Sequence, residues 1–252
     1  DPSSLAGQGR QRGPYSAVGS LLRAVVPEVM TTRPALAARH ALEILSVAPE
    51  LTDVVPAPPQ TLTSLASPTE RTRYYSPLRT RRLAHGLTEF LNAWAAESSE
   101  GRPWTLYFDA LDEADPTDQE FVAILLRRAR PGLLTVVAGT GGAPLPDVLA
   151  EALERYAVPA DLPRASEEPD PRADDELLRA YVDSDGTSDR PAERAAHAAA
   201  DPALRAELHL ARARELEARD EQTLRLGAIA YHRSQAGPRT DDEGRDLMAA
   251  AD

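Results

Sequence analysis

Trp104-Thr105-Leu106-Tyr107-Phe108-Asp109 and, further on, Leu133-Leu134-Thr135-Val136-Val137-Ala138 are short runs of apolar, aromatic and β-branched residues, each closed by a polar or glycine-bearing turn. Runs of this length and make-up form strands rather than helices. Between them lie the polar loop Asp112-Glu113-Ala114-Asp115-Pro116 and then residues 118–130, where Phe121, Val122, Leu125 and Leu126 recur at helical spacing. Thr117 or Asp118 stands where a cap for that helix is expected. Strand, loop, helix and strand in one short span make a βαβ unit, which implies a parallel sheet with helices against it. The fold class that follows is α/β.

Upstream, residues 1–13 are polar, carry Gly7, Gly9 and Gly13, and read as loop. Val18, Leu21, Leu22, Val25, Val26 and Val29 then follow the spacing of a helix that starts near Pro14. Pro34 opens a second helix, running through Leu36, His40, Leu42, Ile44 and Leu45 toward Pro49. Residues 54–68 hold four prolines among Ser and Thr and read as a connection. Residues 70–97 read as helical with a restart at Ser76-Pro77; Leu83, Leu87, Phe90, Leu91 and Trp94 share one face.

Downstream, Val148, Leu149, Leu153 and Tyr156 mark a helix that leads into an acidic, proline-rich linker over residues 159–173. From Asp174 the pattern is helical only. Residues 201–219 and 221–236 read as a helical hairpin in which Ala206, Ala211, Ala213, Ala228 and Ala230 allow close approach. The expected organisation is an α/β domain over residues 1–158, the linker, and an all-α segment over residues 174–252.

Composition narrows the chemistry. All 28 basic residues of the 252 are arginine, against 40 acidic ones, for a formal charge of −12. Arginine for lysine with abundant alanine is a bacterial-like composition. Without lysine there is no Schiff-base chemistry, no lysine base and no complete G-x-x-x-x-G-K-[ST] phosphate loop. Without cysteine there is no disulfide, thiol nucleophile or thiolate metal site. No apolar run approaches the ~18 residues of a membrane span. The start carries neither Met nor a signal-like apolar stretch, so the expected setting is cytoplasmic and the chain reads as a piece of something longer. Residues 1–100 carry a net +1 and residues 101–252 a net −13. So acidic a second part repels phosphate backbones and argues against a nucleic-acid partner.

The acidic loop after the first strand is where chemistry is expected. Ligands of open α/β sheets bind beyond the carboxyl ends of the strands. An acid ending the strand, Asp109, is placed to hold Mg²⁺ directly or through water. A second carboxylate a few residues on, Asp112 or Glu113, can orient or deprotonate a water aimed at a phosphoryl group. The alternative is that these acids only cap the following helix.

Leu106-Tyr-Phe-Asp109-Ala-Leu-Asp112-Glu113-Ala-Asp115, then Pro116-Thr-Asp-Gln-Glu-Phe121, then Leu133 through Thr140, resemble the Walker B strand, its helix and the next core strand of STAND-type, AAA-like regulatory ATPases. Asp109-Ala-Leu-Asp-Glu113 resembles the NACHT form of the motif, and Ala114-Asp-Pro-Thr117 the bacterial form. Gly13-Pro14-Tyr15-Ser16 with its apolar helix is similar to a segment that bacterial members place after their first two strands. Together these cover roughly residues 13–145.

The resemblance implies a partial P-loop-type parallel sheet with flanking helices, binding ATP and Mg²⁺ in the intact protein. It places Asp109 as the metal-coordinating acid, Glu113 and Asp112 as catalytic or water-positioning carboxylates, with Glu113 preferred, and Thr140 at the cofactor as the sensor position. The family's phosphate loop would precede Tyr15 by a few tens of residues, where this chain has 14, and Gly7-Gln-Gly-Arg-Gln-Arg-Gly13 lacks the Lys and Ser/Thr. The chain therefore reads as an N-terminally truncated or degenerate signal-transduction ATPase that alone should not hydrolyse ATP. Residues 203–237 resemble the helix pair opening a tetratricopeptide-like array, which implies a protein partner and allows self-association. The alternative function is a non-catalytic helical interaction module with a vestigial α/β domain.

Other features carry less. Arg71, Arg73, Arg79, Arg81 and Arg82 with Tyr74 and Tyr75 read as a solvated helix face rather than a phosphate-binding patch. His40, His85, His197, His209 and His232 are dispersed without i, i+4 spacing, which argues against a metal site, although His209 and His232 can face each other in the hairpin. Asp183-Ser-Asp185-Gly186-Thr-Ser-Asp189 reads as a turn and not a calcium loop, because its twelfth position is Arg194.

Overall fold

The two apolar runs pair with each other. In the computed structural model, β2 (Trp104–Asp109) and β3 (Leu134–Ala138) are parallel, with Trp104 opposite Leu134 and Phe108 opposite Ala138. A third strand, β1 (Ser4–Gln8), lies parallel along the other edge of β2, with Leu5 opposite Leu106, so β2 is central. This corrects the expected loop over residues 1–13. Ala6 and Gly7 have little strand preference of their own; the hydrogen-bond ladder offered by β2, about a hundred residues away in sequence, supplies what local sequence lacks. The structure describes residues 4–8, 13–56, 77–98, 102–160, 170–188, 190–219 and 221–237.

The chain divides into two compact units, Asp1–Pro163 and Arg164–Asp252. In the first, α1 (Ser16–Thr32) is followed by α2 (Pro34–Arg39) and α3 (Ala41–Val47). The single helix expected from Pro34 is thus broken. His40 (φ −107°, ψ 17°) gives its N–H back to the Ala37 carbonyl while its own carbonyl accepts from Ile44, ending one helix and starting the next. α4 (Pro77–Ser98) starts at the expected restart, while residues 57–76 lie outside the described ones. α5 (Pro116–Arg128) completes the βαβ unit and α6 (Asp147–Tyr156) follows β3.

One apolar core joins all six helices to a single face of the sheet. Leu106 and Phe108 of β2 are buried in it with Leu22, Ile44, Phe90, Trp94 and Phe121. Phe108 meets Phe121 edge-on at 6.1 Å between ring centres, and Trp94 lies 4.5 Å from Trp104. Parallel strands are usually covered on both faces. Here the alternate residues of the strands differ: Tyr107, in the central strand, is 43% exposed, and Thr135 of β3, opposite Thr105 on the same face, is also exposed. Among the described residues the core covers the Leu106–Phe108 face alone.

The second unit is helical: α7 (Asp174–Asp183), α8 (Pro191–Ala199), α9 (Pro202–Glu217), α10 (Gln222–Leu226) and α11 (Ala228–Gln235). Asp201 caps α9 by accepting from the Ala203 and Leu204 amides. The second arm of the expected hairpin is broken at Gly227 (φ −129°, ψ −92°), a conformation that ends α10 and restarts the chain as α11. Ala213 of α9 and Ala228 of α11 are buried. Among the described residues Leu216, Leu224, Ala228 and Ile229 form a small apolar cluster, and Leu177, Leu178 and Val182 of α7 are buried as well. Among the described residues no helix is long and apolar enough to cross a membrane.

Candidate functional site

The carboxyl end of β2 is a tight, backbone-rich corner. Asp109 is the last residue of the strand and is exposed. Ala110 then takes a left-handed conformation, φ 50°, which costs a residue bearing a Cβ about 1 kcal/mol. The Asp109 Oδ1 accepts the Ala110 N–H at 2.9 Å, which holds that corner. Across from it the Gly139 N–H donates to the Phe108 carbonyl at 2.7 Å, and the Leu111 N–H donates to the Gly139 carbonyl at 2.9 Å. A Cβ at position 139 would lie 3.0 Å from the Asp109 carboxylate, so glycine lets the β3 exit pass beside the acid.

Asp112 ties the two loops together. Its Oδ1 accepts from the Gly141 amide and its Oδ2 from the Ala143 amide, each at 2.9 Å. Both oxygens thus hold the loop after β3, which makes Asp112 a structural brace. Glu113 is exposed, with its N–H closing a turn onto the Ala110 carbonyl at 3.0 Å. Thr140 is exposed in the loop that Asp112 braces. The structure therefore gathers Asp109, Asp112, Glu113 and Thr140 at one end of the sheet.

The helix after the acidic loop is capped differently from expectation. α5 begins at Pro116, and Asp115 is its cap, accepting from the Thr117 amide at 2.8 Å and the Thr117 hydroxyl at 2.6 Å. Thr117 and Asp118 face another helix. The Thr117 Oγ1 accepts from the Tyr15 amide at 2.8 Å. Asp118, fully buried, accepts from the Ser16 hydroxyl (3.1 Å) and from the Ala17 (3.0 Å) and Val18 (3.1 Å) amides. It caps α1 from the first turn of α5. Tyr15, left-handed at φ 58°, has no side-chain cap of its own to give. Burial pushes the Asp118 carboxyl up to about 6; the two amides and the hydroxyl pull it down, and Asp115 adds to the rise. Spacing along the sequence carries no sign of a contact between positions 101 residues apart.

Elsewhere, Arg71, Arg73, Tyr74 and Tyr75 lie outside the described residues, as do residues 9–12 of the glycine-bearing segment. Arg79, Arg81 and Arg82 are exposed on α4, and Arg81 pairs with Glu120 at 3.2 Å. Residues 184–186 form a turn. The histidines are not dispersed: His197, His209 and His232 meet in the second unit, because α8, α9 and α11 converge there. Among the described residues no group of three His, Cys, Asp or Glu could hold a metal ion.

The corner fits part of a magnesium–nucleotide site. Asp109 offers one carboxylate, and magnesium takes one or two carboxylates with water and phosphate oxygens filling the remainder. A nucleotide's phosphates need a cradle of amides and cations, and no lysine exists in the chain to supply it. No family model, curated protein or solved structure matches the chain.

Proposed function

We propose that the carboxyl end of β2 is the magnesium-side half of a nucleotide site in a STAND/AAA-like regulatory ATPase, the phosphate cradle being supplied from outside this sequence. The observation that carries the reading is Asp109, exposed at the end of the central parallel strand, with Gly139 drawn against it and Asp112 bracing the next loop. The strand β1 supports it, since the resemblance calls for a strand ahead of Gly13-Pro14-Tyr15-Ser16. Bound Mg²⁺ would neutralise charge on the phosphates. Asp109 would hold the ion, Glu113 would orient or accept a proton from water, and Thr140 would face the nucleotide. Asp112 keeps the β3 loop in place, so its removal should act through loop position. The helices of the second unit would carry the protein partner or self-association surface.

The test is Mg²⁺-ATP binding, by calorimetry, to the chain alone and to the chain extended upstream of Asp1. The extended protein should bind, and Asp109→Ala should abolish the magnesium dependence, with Asp109→Asn, which keeps an oxygen for the Ala110 amide, doing the same without loosening the corner. Binding and hydrolysis unchanged by Asp109→Ala would sink the assignment. A second reading, a non-catalytic helical interaction module, draws on the engagement of Asp112 and the lack of lysine; it requires that the extended protein bind no nucleotide.

A further inference from the structure

Four polar groups that the nucleotide reading does not use form a continuous chain through the second unit. Asp185, fully buried in the turn after α7, places Oδ1 3.2 Å from His232 Nε2 on α11. The other ring nitrogen of His232, Nδ1, is 2.8 Å from His209 Nδ1 on α9. His209 Nε2 is in turn 2.9 Å from His197 Nε2 on α8. His209 and His232 are fully buried, while His197 is half-buried. The chain thus crosses four elements, and of its four members His197 is the one that is not fully buried.

Among the described residues, Arg212, Arg205, Tyr181 and Tyr231 are the charged and titratable groups that face it. Arg212 of α9 donates from Nε to the same Asp185 oxygen at 2.9 Å, from Nη2 to the Asp183 carbonyl and from Nη1 to Glu215. Arg205 donates to the His197 carbonyl at 3.4 Å. Tyr181 of α7 lies against the His197 ring at 4.4 Å, and Tyr231 of α11 meets His209 edge-on at 5.7 Å. Gly186 (φ 73°) follows Asp185 (φ 57°) in the turn, and a Cβ there would run into the Tyr231 hydroxyl, so this left-handed pair aims the carboxylate at His232.

Proton counting fixes the state of the chain. A neutral imidazole has one N–H and one lone pair. Asp185, ion-paired with Arg212, accepts, so His232 carries its proton on Nε2 and presents a bare Nδ1. His209 must then donate from Nδ1 and present a bare Nε2, and His197 must donate from Nε2. Each of the three links holds one proton, and the remaining lone pair is on His197 Nδ1, which has no hydrogen-bond partner among the described residues. A first added proton enters there. By shifting one hydrogen across each of the two imidazole–imidazole links, the added proton can pass inward from His197 through His209 to His232. A second proton finds no lone pair: it must join a link already holding one, setting two N–H groups against each other across 2.8–2.9 Å.

We propose that the Asp185–His232–His209–His197 chain is an acid-operated latch, which when neutral ties the α7 turn, α8, α9 and α11 together and when doubly protonated frees α8 from the α9–α11 pair. The outer link yields because His197 is the member that solvent reaches. Burial, then the neighbouring imidazoles and Arg205, holds His209 down to about 4, and burial with Arg205 lowers His197. The sign follows: a depressed imidazole contributes stability that is present above the ordinary value of 6.5 and lost as pH falls through 4. This latch is independent of the nucleotide reading.

Two measurements on the whole chain test it. Long-range ¹H–¹⁵N spectra at pH 7.5 should show His197 and His232 protonated on Nε2 and His209 on Nδ1; His209 protonated on Nε2 overturns the chain. Hydrogen exchange, corrected for intrinsic rate, should show α8 and α9 losing at least ~10-fold more protection than α4 and α5 between pH 7.5 and pH 5. In His209→Gln that excess should vanish, since glutamine cannot gain a proton; should this variant fail to fold, His197→Gln at the outer end takes its place with the same expectation. Equal loss in both units, or an excess that persists in the folded variant, overturns the latch.

Discussion

The two units are held in different ways. In the first, the interior is built of Phe90, Trp94, Phe108, Phe121 and many aliphatic side chains, and the fully buried Asp118 is spent on capping α1. In the second, among the described residues, a small apolar cluster of Leu216, Leu224, Ala228 and Ile229 and the buried Leu177, Leu178, Val182 and Ala213 share the interior with imidazoles, a carboxylate and a guanidinium joined by hydrogen bonds. Apolar burial is non-directional and nearly blind to pH. A hydrogen-bonded interior is directional and depends on who carries each proton. The difference teaches that the buried titratable groups of one chain can give its two units opposite responses to pH.

The sharpest way to break this comparison is to damage the first unit's interior. Phe121→Ala should cost that unit about 3–5 kcal/mol, read by denaturant unfolding followed through Trp94 and Trp104, which both lie in the first unit and are the chain's two tryptophans. A loss below about 1 kcal/mol would mean that the apolar core is not what holds it.

Next comes the contrast in pH. Asp118 is raised from 3.8 to about 6, so its contribution is present below 3.8 and lost as pH rises through 6. His209 is lowered from 6.5 to about 4, so its contribution runs the other way. Each is worth at most about 3 kcal/mol. On moving from pH 7.5 to pH 5, tryptophan-detected stability of the first unit should hold or rise while exchange protection in the second unit falls. The same slope in both units would remove the distinction.

A smaller effect tests the cap. Asp118→Ala should destabilise the first unit by about 2 kcal/mol, by leaving the Ala17 and Val18 amides buried without acceptors, and it should flatten the pH slope just described. Circular dichroism and fluorescence melts would report both. The smallest expected change is at the surface. Arg81 is exposed where it pairs with Glu120, so Arg81→Ala should shift stability by under ~0.5 kcal/mol; a larger loss would show that surface charge shares in holding the first unit.

Much of the architecture was legible in the residues themselves. The aromatic run at 104–109, the β-branched run at 133–138 and the 3.6-residue spacing of Phe121, Val122 and Leu125 specify strand, helix and strand, because local geometry alone sorts those side chains to one face. Asp109 as the strand's end and Asp112 and Glu113 in the loop after it follow from the same logic, since whatever follows a parallel strand gathers at its carboxyl end, whereas Thr140 is singled out through the family resemblance. Tertiary structure decided the rest. β1 exists because β2 offers it partners; Asp112 is a brace and Asp118 a cap for α1 because chain segments far apart in sequence meet there. His209 and His232 face each other as the hairpin pattern allows, but His197, unremarkable in spacing, joins them only because α8 packs where α9 and α11 meet. Periodicity reports which face of an element is buried, whereas a hydrogen bond between distant residues depends on how elements pack, and no local pattern encodes that.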